Sequence, residues 1–164
     1  MSLNWKQFEL GILRPVLRDL APTIASPEVA VRLVGETIWH ESDRLQALGQ
    51  YPRGDGPFGP GLGLCSMERS TWEWLEKDFL NRREELLLAF RRATGSMVCA
   101  YPEFAWNLAL NVAGCRLRYF AFSAPLPADN LEARSRYWFI IYNTSGVEER
   151  RLKYIEDAKQ IPWG

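Results

Sequence analysis

The chain has 164 residues, 47% of them hydrophobic and 13% aromatic, enough for one domain with its own core. Twenty basic residues balance twenty acidic ones, which disfavours a partner held mainly through phosphates, such as nucleic acid. No apolar run nears the roughly 20 residues of a membrane span, and the first residues lack a basic n-region and a small-residue cleavage site, so neither a span nor a signal peptide is expected.

In chain order, Asn4 caps a predicted helix over 5–19, with Trp5, Phe8, Ile12, Val16 and Leu20 at helical spacing and a kink at Pro15. Ser26-Pro27-Glu28 reads as a cap, a first-turn proline and an early acid, opening a helix to about Asp43. Gly49, Gly54, Gly56, Gly59, Gly61 and Gly63, with Pro52, Pro57 and Pro60, then form a long irregular loop of the kind that carries function. Ser70 and Glu73 are spaced as a capping box for a helix over about 71–79. Another helix begins at Asn81 and closes near Gly95. Tyr101-Pro102-Glu103 opens a long apolar helix through about Phe120. Asp129 caps a helix over about 130–142, and Ser145 a last one through about Lys159. Leu62–Cys65 and Ser96–Cys99 are short strands at most. The fold class is mainly α, with a small β element beside the loop.

The chemistry concentrates on the second long helix. Val34, Ile38, Glu41 and Leu45 share one face, so Glu41 is a carboxylate in an apolar stripe just before the glycine cluster. Desolvation there raises a carboxyl pKa and keeps a proton available near neutral pH, as a general acid requires. The plainer reading is a helix-end glutamate reaching solvent. Arg32, Glu36 and His40 recur on another face and read as a solvated charge ladder. His40-Glu41 does not open an HExxH zinc motif, because position 44 is arginine and His40 is the sole histidine. Cys65, Cys99 and Cys115, widely spaced with no CxxC, read as buried small hydrophobes rather than a disulfide framework or a thiolate metal site. No cofactor and no metal are expected. Trp5, Trp39 and Trp106 fall in periodic runs and read as core. Trp72, Tyr101, Tyr137 and Trp138 are candidates for stacking on sugar rings, and Arg82-Arg83 and Arg91-Arg92 read as solvated helix faces.

The order of motifs carries a resemblance. Glu41-Ser42, Leu45 and Gln50 precede Gly59-Pro60-Gly61-Leu62-Gly63-Leu64-Cys65-Ser66-Met67-Glu68-Arg69-Ser70-Thr71, and Tyr137-Trp138 precedes Tyr142-Asn143-Thr144. This resembles the lysozyme-like superfamily of goose-type lysozymes and soluble lytic transglycosylases. It is most similar to bacteriophage proteins with lysozyme-like domains. The resemblance implies one lysozyme-like domain over 1–164 that cleaves the glycan backbone of peptidoglycan, with Glu41 as the catalytic acid. A lytic transglycosylase then uses the same carboxylate as a base, whereas a hydrolase usually adds a second carboxylate; Asp55 and Glu68 are the candidates for one. Ser66, Met67, Glu68, Tyr137, Tyr142 and Asn143 map to the substrate-flanking segments. The chain departs from the family at Ser66, Arg69 and Trp72, where the family has glutamine, proline and histidine. Those departures keep open an alternative, a catalytically weakened structural or glycan-binding component of a virion tail or baseplate. The implied partners are peptidoglycan glycan strands and other virion proteins. The implied location is the virion, acting in the host periplasm or cell wall, and zero net charge fits a virion-borne part better than a basic free lysin. An unrelated helical regulator would instead present Glu41 on open surface.

Overall fold

The computed structural model describes residues 3–48, 59–143 and 146–164. It is mainly helical with one small two-stranded antiparallel sheet, as the periodicities imply. The first helical stretch comprises α1 (Trp5–Phe8), a π-helical turn (Glu9–Leu13) and α2 (Arg14–Leu20). Asn4 caps it by accepting from Gln7 N. Pro15 has no N–H to complete an α-helical bond, and the wider turn just before it, with Arg14 N donating to the Glu9 carbonyl, absorbs the defect without ending the stretch.

Helix α3 (Glu28–Glu41) starts where the proline signal places it, although Ser26 bonds the Ile24 carbonyl rather than capping. It stops at Glu41, short of the expected Asp43. The next residues, Asp43, Arg44 and Leu45, all take left-handed backbone conformations with φ between 47° and 64°. Such conformations cost side-chain-bearing residues about 1–2 kcal/mol each. Ser42 stabilises the turn, its hydroxyl donating to the Ile38 carbonyl at 2.6 Å and accepting from Leu45 N at 2.9 Å.

Strands β1 (Gly61–Leu62) and β2 (Met67–Glu68) pair antiparallel, Gly61 opposite Glu68 and Leu62 opposite Met67. The segment Ser96–Cys99 is not a strand. Helix α4 (Arg69–Trp74) runs into a π-helical turn (Leu75–Leu80), and its N-cap is Glu68 with no capping bond, so the Ser70–Glu73 box does not form. Helix α5 (Glu84–Thr94) ends at Gly95, whose φ of 66° suits glycine alone at little cost. The long helix expected from Tyr101 is two elements: a 3-10 turn (Tyr101–Ala105), then α6 (Leu108–Ala121), capped by Asn107 accepting from Leu110 N at 2.9 Å. Helix α7 (Leu131–Ile141) is capped by Asn130 rather than Asp129. Helix α8 (Glu148–Ala158) follows Val147; Ser145, its expected cap, lies outside the described residues.

Helix α6 is the centre of the molecule, packing against α2, α3 and α5, while α3 also packs against α7 and α8. Thr37 Oγ1 and Tyr119 OH, 2.7 Å apart in the interior, tie α3 to α6. The three cysteines are free and buried. Trp5 is core, in edge contact with Trp39 and Trp163. Trp106 is not core, with 65% of its surface exposed.

The charge ladder is corrected as well. Glu36 is buried and bound by Arg134, whose Nε and Nη2 reach its two carboxylate oxygens at 2.8–3.1 Å, and Tyr154 OH donates to it at 3.1 Å. His40 Nδ1 lies 2.7 Å from Asp157 Oδ2. Helix α8 and the start of α7 cover the face that periodicity alone assigns to water.

Candidate active site

Glu41 ends α3 at the rim of the core. It is half-buried, and the protein around it is dense enough that burial pushes its carboxyl pKa up to about 7 from the ordinary 4.5. Arg118 and Arg150 pull the other way, as do the nearby Ser66 hydroxyl and Trp138 indole N–H, but desolvation outweighs them. Among the described residues, the charges acting on Glu41 most strongly are thus both cationic. Neither the open-surface expectation nor a fully paired salt bridge describes this carboxylate.

Three elements converge on it. The turn between β1 and β2 brings Ser66, buried and in a left-handed conformation (φ 47°), so that its hydroxyl lies 3.4 Å from the Glu41 carbonyl oxygen and beside the carboxylate. Helix α7 brings Trp138, a buried indole whose Nε1 has no partner at normal hydrogen-bond geometry yet lies close enough to Glu41 to favour its anion. Tyr154 stacks on Trp138 with centroids 4.7 Å apart, and the His40 ring meets its edge at 4.9 Å, so the indole is fixed from two sides. Burial lowers the His40 pKa despite Asp157, which leaves the ring neutral near pH 7. Helix α6 brings Arg118.

The turn itself is held at both backbone groups of one residue. Asn111 Oδ1 accepts from Cys65 N at 3.3 Å while its amide donates to the Phe104 and Asn107 carbonyls at 2.8 and 2.9 Å. Tyr142 OH donates to the Cys65 carbonyl. Gly63, at φ 74°, leaves the space: a Cβ there would overlap Asn111 Oδ1 and the Phe104 carbonyl. Burial pushes the Cys65 thiol up to about 12, so it stays protonated and chemically quiet.

Of the residues expected at the site, Glu41, Ser66, Tyr142 and Trp138 are brought together, but as a sugar-stacking candidate Trp138 is a correction: it is buried against Tyr154 and His40 and presents no face to a sugar. Asn143 is buried at the end of α7, next to Tyr142. Met67 is a correction: its side chain is wholly buried against α6, and it contributes a carbonyl, which accepts from Tyr101 OH at 3.0 Å. Glu68 is exposed at the edge of the sheet. Tyr137 lies against Tyr119, its hydroxyl donating to the Ala124 carbonyl at 3.0 Å. Trp72 is another correction. It is core, with Nε1 donating to the Cys99 carbonyl at 3.0 Å, so it presents no face to a sugar. Tyr101 is also largely buried, with Arg69 stacked on it at 4.8 Å. Asp55, like Gln50 and half of the glycine cluster, lies outside the described residues.

Arg118 and Asn111 escaped the sequence reading. Each is a polar residue inside the most apolar helix of the chain, and that misfit was the available signal. Among the described residues no group of three or more histidine, cysteine or acidic side chains is placed to hold a metal ion, and no helix is long and apolar enough to cross a membrane. The chain matches no protein-family model, and no curated protein or solved structure is significantly similar to it.

Proposed function

We propose that this chain is a lysozyme-like enzyme of bacteriophage type that cleaves the MurNAc–GlcNAc backbone of peptidoglycan as a lytic transglycosylase. The observation that carries the reading is Glu41: a half-buried carboxyl that holds its proton to about pH 7 and whose strongest charged neighbours among the described residues are cations. A protonated carboxyl of this kind gives its proton to the glycosidic oxygen as the C–O bond breaks. The resulting carboxylate removes the proton of the sugar's own 6-hydroxyl as that oxygen attacks the anomeric carbon. The products are a free 4-hydroxyl end and a 1,6-anhydro end, and Glu41 finishes protonated, ready for the next cycle. One carboxyl does both steps, and among the described residues the strongest electrostatic neighbours of Glu41 include no second acid. No metal or cofactor enters the scheme.

Two of the three departures from the family pattern bear on packing rather than chemistry. Trp72 fills the core and Arg69 stacks on Tyr101. Ser66 is different, because it stands beside Glu41 and its short, buried side chain offers a sugar less than a glutamine would. That observation favours the second reading, a glycan-binding or structural part of a virion tail or baseplate. In either reading the chain is virion-borne and meets peptidoglycan in the host periplasm or cell wall.

Purified sacculi incubated with the wild type and with Glu41→Gln separate the two. Anhydro-muropeptides detected by mass spectrometry with the wild type alone support the enzyme. Silence from both proteins, with binding to sacculi retained, supports the structural reading instead.

A further inference from the structure

A single carboxyl that serves first as acid and then as base must be able to exist in both forms at one pH. Burial alone would lock the proton on, and an unopposed cation would strip it off. The groups facing Glu41 come from four places: Arg118 on α6, Arg150 on α8, Trp138 on α7, and Ser66 on the β1–β2 turn. Cys65, Cys115, Tyr119 and Tyr142 also sense its charge, and burial raises the pKa of each, so all four are neutral at working pH. Arg150 is exposed, where water and salt screen it. Arg118 is half-buried and held in place: its Nη2 donates to the Tyr142 carbonyl at 2.8 Å, and its guanidinium lies 3.9 Å from the centre of the Tyr142 ring. Tyr142 in turn holds the Cys65 carbonyl, one residue before Ser66.

We infer that Arg118 is a positioning residue for Glu41, fixing a positive charge beside the carboxylate that remains once the proton has left and clamping the tyrosine that holds the Ser66 turn. This rests on the reading of Glu41 as the acid. The planar guanidinium does both tasks at once: its edge bonds a carbonyl and its face covers a ring, which a lysine ammonium cannot reproduce.

The test is a pH titration of the Glu41 carboxyl by carbon-13 NMR in the wild type, Arg118→Gln and Arg118→Lys. Removing the charge moves the midpoint upward by about one pH unit, and lysine holds it near the wild-type value. A midpoint unmoved in Arg118→Gln, or raised as far in Arg118→Lys, overturns the proposal. Because the titration needs no substrate, its outcome stands whether or not the chain cleaves peptidoglycan. On sacculi, Arg118→Gln shifts the alkaline limb of the pH–rate profile upward with the midpoint; a limb left in place overturns the link to catalysis. If Arg118→Gln does not fold, Arg118→Lys carries the test. Turnover reduced about tenfold at a held midpoint supports the clamp, and turnover equal to the wild type overturns it.

Discussion

Two glutamates five residues apart on α3 are both pushed up by burial but differ in their partners. Glu36 lies deep between α3, α7 and α8; burial raises its carboxyl pKa, but the protein gives it direct partners, Arg134 reaching both oxygens and Tyr154 adding a third donor. Arg134 also reaches Asp129 at 2.5 Å, and these bonds outweigh the pull of burial, holding the guanidinium charged. Among the described residues Glu41 has no such partner. It keeps a hydroxyl, an indole N–H and two cations nearby, none of them forming a bidentate pair, and so it holds a proton instead. The first arrangement makes a stable, chemically silent join between helices. The second leaves a destabilising carboxyl with a raised pKa at a helix end, close to three consecutive left-handed residues. Local strain and an unanswered charge in the same place are common at functional sites.

Removing each carboxylate sharpens the contrast. Glu41→Gln lowers turnover by about 10²- to 10⁴-fold, the usual contribution of a general acid. The same variant is more stable than the wild type at high pH. Below about pH 4.5 the carboxyl is protonated in both folded and unfolded chains, so it contributes nothing. Between 4.5 and 7 the unfolded chain ionises and the folded one does not, so stability falls as pH rises. Above about 7 the full penalty applies, equivalent to about 3 kcal/mol. Urea denaturation at pH 4 and pH 8 shows equal midpoints for the two proteins at the first and a higher midpoint for the variant at the second.

Glu36→Gln does the reverse. It strands the Arg134 guanidinium in the interior and costs about 3–5 kcal/mol of stability, read as a lower urea midpoint. The fraction that stays folded cleaves at the wild-type rate. A Glu36 variant with normal stability and lost activity would erase the distinction between the two residues.

Gly63→Ala probes the support of the second region. The added methyl displaces Asn111, frees Cys65 N and loosens the turn that presents Ser66. Overpacking of this kind costs about 1–3 kcal/mol. A matching fall in turnover at unchanged substrate affinity is expected, measured on the folded protein.

Glu41 was legible in the sequence because it breaks an apolar period, and the glycine cluster because its composition is extreme. The start of α3 and the end of α5 were legible for local reasons too, Pro27 and Gly95. The fate of Glu36 and His40 was not. Their partners, Arg134 and Asp157, stand 98 and 117 positions away, and a helical period assigns a charged residue to water unless the covering helix is already known. Trp72 and Trp106 were misplaced for a related reason. Aromatic residues suit both core and groove: Trp72 is wholly buried, its Nε1 donating to the Cys99 carbonyl, whereas Trp106 follows the 3-10 turn before α6 and is exposed. Tyr101-Pro102 opens a 3-10 turn rather than the long helix because Asn107, not Tyr101, provides the cap that α6 needs.

The proton on Glu41 is the centre of this picture, and it can be observed directly. Selective carbon-13 labelling of glutamate, with Glu41→Gln to assign the signal, gives the carboxyl titration in the wild-type protein. A midpoint near 7 is the value an acid working at neutral pH requires. A midpoint at or below 4.5 would mean that Glu41 is an ordinary ionised surface carboxylate and would contradict its role as proton donor.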